Sequence, residues 1–216
     1  MTREFGANEA MFLLLAARWT VLLTFSAVFL GGIIAFIFAV LRVIPFRPAN
    51  WLAAGYINLI QGTPLLGQLF VFFFGLSIVG IQVGAWAAAV TAFSLYTGAF
   101  LAEIWRGGLQ AVPRTQWEAS ASLGLSYLER LRYVIIPQAV RISIPPTVGF
   151  IVQLFKNTSL ASVIGLVELT RAGQIMNAAT FAPLQVYLTV AGIYFVICFS
   201  LSRASQRLEQ RLHVAR

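Results

Sequence analysis

Along this chain the polar positions are grouped, and the apolar positions run almost unbroken between the groups. Five stretches, 11–41, 51–76, 83–105, 142–166 and 183–201, are apolar over lengths near or above the roughly 20 residues that a helix needs to cross a bilayer. The pattern predicts an all-α integral membrane protein with five transmembrane helices. The first stretch is longer than a crossing requires, so it extends beyond the hydrocarbon or tilts. Its start resembles a secretory leader, but the apolar run continues past Arg18 and Trp19 with no small-residue cleavage site before Gly31. Trp19, Trp51, Trp86 and Trp105 fall near predicted span ends, where an indole meets both phases. No internal repeat is visible, and five spans cannot divide into equal halves. One chain is therefore not expected to enclose a pathway alone, which points to a second copy or a similar partner.

Composition agrees. Hydrophobic residues make up 59% of the 216 and charged residues only 10%. Soluble domains carry about 25% charged residues, so this surface is built for lipid. The formal net charge of +8 could serve nucleic acid or anionic lipid, and its distribution decides. Arg42 and Arg47 lie in the first link, Arg106, Arg114, Arg130, Arg132 and Arg141 in the third, and Arg203, Arg207, Arg211 and Arg216 in the tail. Alternating helices put all of these on one side. The other side keeps Arg3, Arg18 and Arg171 beside Glu4, Glu9 and Glu168. The positive-inside rule then places the N-terminus outside and the C-terminus in the cytoplasm. No basic face with interleaved aromatics is present, so nucleic acid is not an expected partner.

The divisions expected are an outer segment 1–10, a transmembrane unit 11–205 containing a cytoplasmic loop at about 106–146, and a tail 206–216. Cys198 is the single cysteine, which excludes an intramolecular disulfide and reads as a small apolar side chain. His213 stands in a polar tail without a Cys or carboxylate cluster, so no metal site is expected.

The loop 106–146 carries the densest local signals. Thr115 with Glu118, and Ser126 with Glu129, have capping-box spacing, in which the hydroxyl caps one amide and the acid reaches back. The first helix is expected to run to Gly124, suited to a left-handed C′ position. The second is expected to end before Pro137, which lacks the amide to continue it. Small residues dominate the first helix and allow another surface to come close. The second puts Leu128, Leu131 and Ile135 at helical spacing, with Arg130 and Arg132 elsewhere on its circumference. The pair reads as an amphipathic hairpin, either a docking element or one packed on its own chain.

Here the residues resemble a known family. The run Glu118-Ala119-Ser120-Ala121-Ser122-Leu123-Gly124, followed by Ile136-Pro137-Gln138-Ala139, resembles the EAA loop of ATP-binding-cassette (ABC) importer permeases. Further runs narrow the resemblance to the type I permeases for polar amino acids. They are Gln61-Gly62-Thr63-Pro64-Leu65-Leu66, Ala102-Glu103-Ile104-Trp105-Arg106-Gly107-Gly108, Lys156-Asn157-Thr158-Ser159-Leu160 and Glu168-Leu169-Thr170-Arg171-Ala172-Gly173. The match spans nearly the whole chain in order. It implies the type I importer permease fold with a cytoplasmic coupling helix. Trp117, Glu118, Ala119, Ser120, Ala121 and Gly124, with Leu128 and Arg132, would seat on a cytoplasmic ABC ATPase pair. It also implies a second permease, a periplasmic or lipoprotein solute-binding protein, and a polar amino acid as cargo. In two places the chain departs from the family: Gln61 stands where Arg is common, and Asn157 where Asp is common. Both remove charge from the membrane interior, and Asn157 disfavours a cationic cargo.

Polar residues inside the spans are the candidates for the pathway. Asn58, Gln61, Leu65 and Gln68 fall at spacings that put them on one face of an unbroken helix, with Gln61 roughly 15 Å deep from Trp51 at ~1.5 Å per residue. Pro64 removes the amide that would pair with the Ile60 carbonyl, and Gly62 loosens the same turn, giving either a pathway hinge beside Thr63 or a packed kink. Gln153, Lys156 and Asn157, with Thr158 next in sequence, form a second set. Lys156 either lines a pathway or snorkels outward. Thr91, Ser94 and Thr97 are expected to bond their own backbone, while Gly98 permits close helix approach. Glu103 and Arg106 form either an interfacial ion pair or a gate.

The chain has no Gly-rich phosphate loop, so ATP and Mg belong to the partner ATPase, and this chain binds no cofactor and catalyses no bond chemistry. The expected mechanism is alternating access. The alternative is an ion-coupled secondary carrier or channel subunit, whose mark would be paired midplane carboxylates.

Overall fold

A computed structural model describes residues 4–43 and 46–213, with side chains as far as Gln210. Arg3 and Arg216, and the side chains of Arg211 and His213, lie outside the described residues. The described chain forms eight helices: α1 (Ala7–Val43), α2 (Arg47–Gln61), α3 (Leu65–Ile78), α4 (Ala85–Gln110), α5 (Arg114–Ser122), α6 (Tyr127–Ile164), α7 (Leu169–Thr180) and α8 (Pro183–His213). By length and composition α1, α4, α6 and α8 can each cross a membrane, and α2 with α3 makes a fifth, broken span.

Helix α1 sorts its residues by size. Leu13, Ala16, Ala17, Thr20, Leu23, Thr24, Ala27, Gly31, Ala35 and Ala39 are buried, while Phe25, Phe29, Ile33 and Phe36 point outward. Lipid is as apolar as leucine, so helices in a bilayer associate by close packing, and small residues collect where they meet. The facing helix α4 presents Ala88, Ala89, Ala92, Phe93, Ala99 and Ala102, all buried. Gly31 and Gly98 set the approach. A Cβ on Gly31 would come within 2.5 Å of the Thr97 Cβ, and one on Gly98 within 2.5 Å of the Ile34 Cγ2. The expected close approach at Gly98 is met, and Gly31 is its counterpart.

The core falls into zones along the bundle. Leu23, Leu69, Phe93, Leu154 and Ala161 join α1, α3, α4 and α6. Leu13, Leu169, Met176 and Val186 join α1, α7 and α8. Ala35, Ile57 and Leu101 tie α2 to α1 and α4. At the end opposite α7, Val112, Ile135 and Ala139 seat α5 and the start of α6, with Trp117 packed against them.

Two expectations about the hairpin give way. Helix α5 starts at Arg114 after Pro113, with no side-chain cap, so Thr115 lies inside the first turn and forms no capping box. Proline fixes the extended-to-helical entry two residues earlier. Nor does the second helix stop before Pro137. It runs through a π-helical stretch, Arg130–Ile135, into the long α6, and Pro137 sits in the first turn after the register change. The wider π turn makes room for the ring that an α turn would clash with. What looked like a hairpin beneath the membrane is one short helix plus the root of a span.

Candidate functional site

The second span breaks at Gly62, Thr63 and Pro64. Helices α2 and α3 meet at 99°, far more than a proline kink. The break therefore overturns the single face expected for Asn58, Gln61, Leu65 and Gln68. Asn58, Gln61, Gly62, Thr63 and Pro64 are exposed, whereas Leu65 and Gln68 are buried. A continuous 3.6-residue period does not survive a right-angle turn.

The broken backbone is repaired by side chains. The Gln68 amide nitrogen donates to the Ile60 carbonyl at 2.8 Å, the acceptor freed by Pro64, and to the Thr63 carbonyl at 3.2 Å. The Thr63 hydroxyl donates to the Leu59 carbonyl at 2.8 Å. Gln68 thus holds the break, which helical spacing could not reveal. Tyr56 steadies the preceding helix by donating to the Leu95 carbonyl at 2.6 Å.

Leu65 and Leu154 share one buried cluster, which brings the break and the C-terminal part of α6 into one region. There Gln153 and Lys156 are exposed and Asn157 is half-buried, with the Gln153 amide donating to the Asn157 Oδ1 at 3.1 Å. Among the described residues Lys156 has no ion-pair partner. Thr158 is fully buried and donates to the Phe155 carbonyl at 2.7 Å, starting the 3₁₀ turn Thr158–Ile164. Thr97 is also fully buried, in the α1–α4 contact. Among the described residues the hydroxyls of Ser94 and Thr97 find no partner, contrary to the expected bonds to their own helix. Glu103 and Arg106 do pair: the guanidinium Nε lies 3.0 Å from each carboxylate oxygen, and a further bond runs from Nη2 to Oε1.

Glu168 is a larger surprise. The sequence pattern groups it with the charges on the side opposite the arginine-rich loops, yet it is fully buried. Its carboxylate caps α7 by accepting the Arg171 amide at 2.8 Å and takes the Tyr194 hydroxyl at 3.0 Å. Thr20 completes the cluster, accepting the Leu169 amide at 3.1 Å. Burial pushes the Glu168 carboxyl up, and the amides of Thr170 and Arg171 pull it back. The hub joins α1, α7 and α8. Arg171 instead bonds Gln174 at 2.9 Å.

At the far end, α5 turns one face in and one out. Ser120 is buried, its hydroxyl donating to the Gln116 carbonyl at 2.7 Å, and Trp117 stacks on Tyr127 with ring centres 6.1 Å apart. Glu118, Ala119, Ala121 and Gly124 are exposed, as are Leu128 and Arg132. Gly124 has φ 76°, and the bonds from Gly124 and Leu125 to the Ala121 and Ser120 carbonyls form the expected helix stop. Ser126 and Glu129 form the full capping box expected of them. Leu123 was passed over: it is 80% exposed at the tip of α5, a bare leucine on a polar end.

Five spans, one of them broken beside exposed polar groups, with a short small-residue helix displayed at one end, define a membrane transport subunit. Comparison with known proteins agrees. Residues 27–214 match the model of the binding-protein-dependent transport system inner membrane components, and the chain belongs to this family. It is 40% identical over 195 residues to the L-cystine transport system permease protein TcyB of Bacillus subtilis (strain 168), covering 90% of this chain and 83% of that one. It is 38% identical over 168 residues to the glutamine transport system permease protein GlnP of Escherichia coli (strain K12), covering 77% of each. A crystal structure of an amino acid ABC transporter with histidines superposes with a TM-score of 0.92 at 34% identity, over 98% of this chain and 100% of that one. The MetNI methionine ABC transporter in an inward-facing form shares the fold at a TM-score of 0.80 and 20% identity. The chain is accordingly a non-catalytic permease subunit of an ABC importer, and ATP hydrolysis belongs to a partner.

Proposed function

We propose that this chain moves a polar amino acid inward by alternating access, paired with a second copy or a similar permease. The pathway is lined at the break by Asn58, Gln61, Thr63 and Pro64, and from α6 by Gln153, Lys156 and Asn157. Gln68, Thr97 and Thr158 support that lining from behind. An ammonium without a carboxylate partner suits the carboxylate that every amino acid carries. Glu103 and Arg106 form an ion pair toward the cytoplasmic end, placed to act as a gate contact.

Coupling runs through α5. Glu118, Ala119, Ala121, Leu123 and Gly124 seat on a cytoplasmic ATPase, while Trp117 and Ser120 fasten the helix to the root of α6. Leu128 and Arg132 border the same surface. ATP and Mg act on the ATPase pair, not here. A solute-binding protein delivers cargo on the opposite side, where residues 1–10 begin. The N-terminus faces outward, the transmembrane unit spans 11–205 with its coupling segment in 106–146, and the tail 206–216 is cytoplasmic.

The observation that carries this reading is the outward face of α5, small-residued and set on the segment that continues directly into a span. Its test is affinity purification of the tagged permease in a gentle detergent, with mass identification of each co-purifying chain. An ABC ATPase is expected with the parent and lost, by more than tenfold, with Glu118→Arg. Recovery of the permease alone, still competent in ATP-independent uptake, would overturn the reading. Cargo is tested with Asn157→Asp, which should raise arginine uptake relative to glutamine. Equal ratios in parent and variant would remove Asn157 from the selectivity argument.

A further inference from the structure

Three aromatic rings from two helices stack where the polar residues of α6 give out. Tyr96 and Phe100 stand one turn apart on α4, and Phe150 meets them from α6. The ring centres of Phe100 and Phe150 lie 5.4 Å apart, with planes 16° from parallel. Tyr96 lies 4.4 Å from Phe100 and 6.0 Å from Phe150, so each ring is within stacking range of both others. All three are half-buried, belonging neither to the closed core nor to the fully exposed apolar surface. The Tyr96 hydroxyl is the one polar side-chain group in the stack.

Helical spacing fixes the side on which they stand. On α6, Phe150 shares a side with Gln153 and Asn157, and lies about 10 Å before Asn157 along the axis. On α4, Tyr96 and Phe100 share a side with Glu103. Tyr96 and Phe150 also pack on the buried cluster that holds Leu65, directly after the break in the second span. Phe150 packs in addition on the cluster of Ile57 and Leu101, Ile57 lying just before that break. The rings therefore stand level with the break. Gln153 and Asn157 lie beyond them in one direction, and the Glu103–Arg106 pair in the other.

We infer that Tyr96, Phe100 and Phe150 form one jaw of an apolar neck in the transport pathway, completed by the paired permease. The neck excludes water and cargo when the pathway is shut toward the cytoplasm. This rests on the proposed reading that Gln153 and Asn157 line the pathway. An apolar constriction empties of water, and an amino acid cannot cross it without shedding the hydration of both its charges. The Glu103–Arg106 pair cannot make such a seal, because charged groups hold water. Mutual stacking keeps the three rings in one shape, so the jaw moves as a unit with α4 and α6.

The test uses the permease assembled with its ATPase in membrane vesicles of both orientations, with Cys198→Ala as background and Gln153→Cys as reporter. An impermeant maleimide is applied to nucleotide-free vesicles and to vesicles trapped with ATP and vanadate. In the state that shuts the cytoplasmic side, the reporter should label from outside, and about tenfold more slowly from inside. Phe150→Gln, near in size but wettable, should remove most of that difference, whereas Phe150→Leu should keep it within about twofold. Phe100→Gln should behave as Phe150→Gln does. Glutamine variants that assemble with the ATPase yet keep the parent's sidedness would overturn the inference. So would failure of both to assemble, which would make the rings a packing joint between α4 and α6. A reporter labelled from neither side, or equally from both in each state, would overturn the pathway reading, and the neck with it.

Discussion

Two spans of this protein carry proline well inside their length, and the chain treats them oppositely. One proline at position 64 accompanies a 99° break between α2 and α3. Helix α6 carries Pro137, Pro145 and Pro146 and remains one helix. Each proline removes one donor and crowds one carbonyl, so proline by itself does not decide whether a span breaks. The surroundings decide. At the break α2 ends with Gly62 as its C-cap and Pro64 itself is extended, and Gln68 stands eight residues beyond Ile60 to take the freed carbonyl. At Pro137 the ring follows a π-helical stretch whose wider turn accommodates it. An interruption in a bilayer persists only where its polar groups find partners in protein or water. The broken span has such partners, and exposed polar side chains beside it. The unbroken one continues as a single helix from the turn that follows α5.

This contrast can be strained in three ways. The largest effect is expected from Pro64→Ala, which returns an amide to the Ile60 carbonyl and lets a straight span compete. Transport in proteoliposomes should fall by about tenfold or more, as for a misplacement of pathway groups. Spin labels at Leu59→Cys and Phe70→Cys should move toward the about 17 Å of eleven continuous helical residues. An unaltered separation with normal transport would show that the break does not depend on the proline.

Gln68→Leu should come next. It keeps the volume but leaves the Ile60 and Thr63 carbonyls without their side-chain donor, at a cost of about 1–3 kcal/mol. Thermal unfolding of the detergent-solubilised protein should show a lower Tm, whereas Gln68→Glu, protonated in place, should recover part of it. No change in Tm for the leucine variant would mean that water or a relaxed backbone serves those carbonyls equally well.

The smallest effect belongs to Pro137→Ala. With the π turn already absorbing the ring, stability should move by less than about 1 kcal/mol, since the position is in the first turn of the α-helical stretch. ATPase stimulation by cargo and binding protein should stay within twofold. A large loss of stimulation with an intact complex would show that the proline stiffens the joint between α5 and the bundle.

Much of this was legible in the sequence because lipid imposes a simple rule. Every backbone polar group must be satisfied inside the span, so apolar length alone marks the five crossings. Ser126 with Glu129, and Gly124 as a helix stop, were equally legible, because capping uses residues three or four apart. The expected pair of Glu103 and Arg106 lies within one turn, and it forms. Local signals failed where a neighbouring one overrode them, as Pro113 does at Thr115 and the π turn does before Pro137.

What the tertiary structure decided lies at long range. Glu168 became a buried hub because Thr20 and Tyr194, 148 and 26 residues away, converge on it. Gln68 changed from a presumed lining residue to a brace because the chain folds back at the break. Periodicity reports which residues share a face only while the helix continues. It cannot report where distant donors and acceptors will meet, and in a membrane those meetings fix which polar groups are spent on structure and which remain for transport.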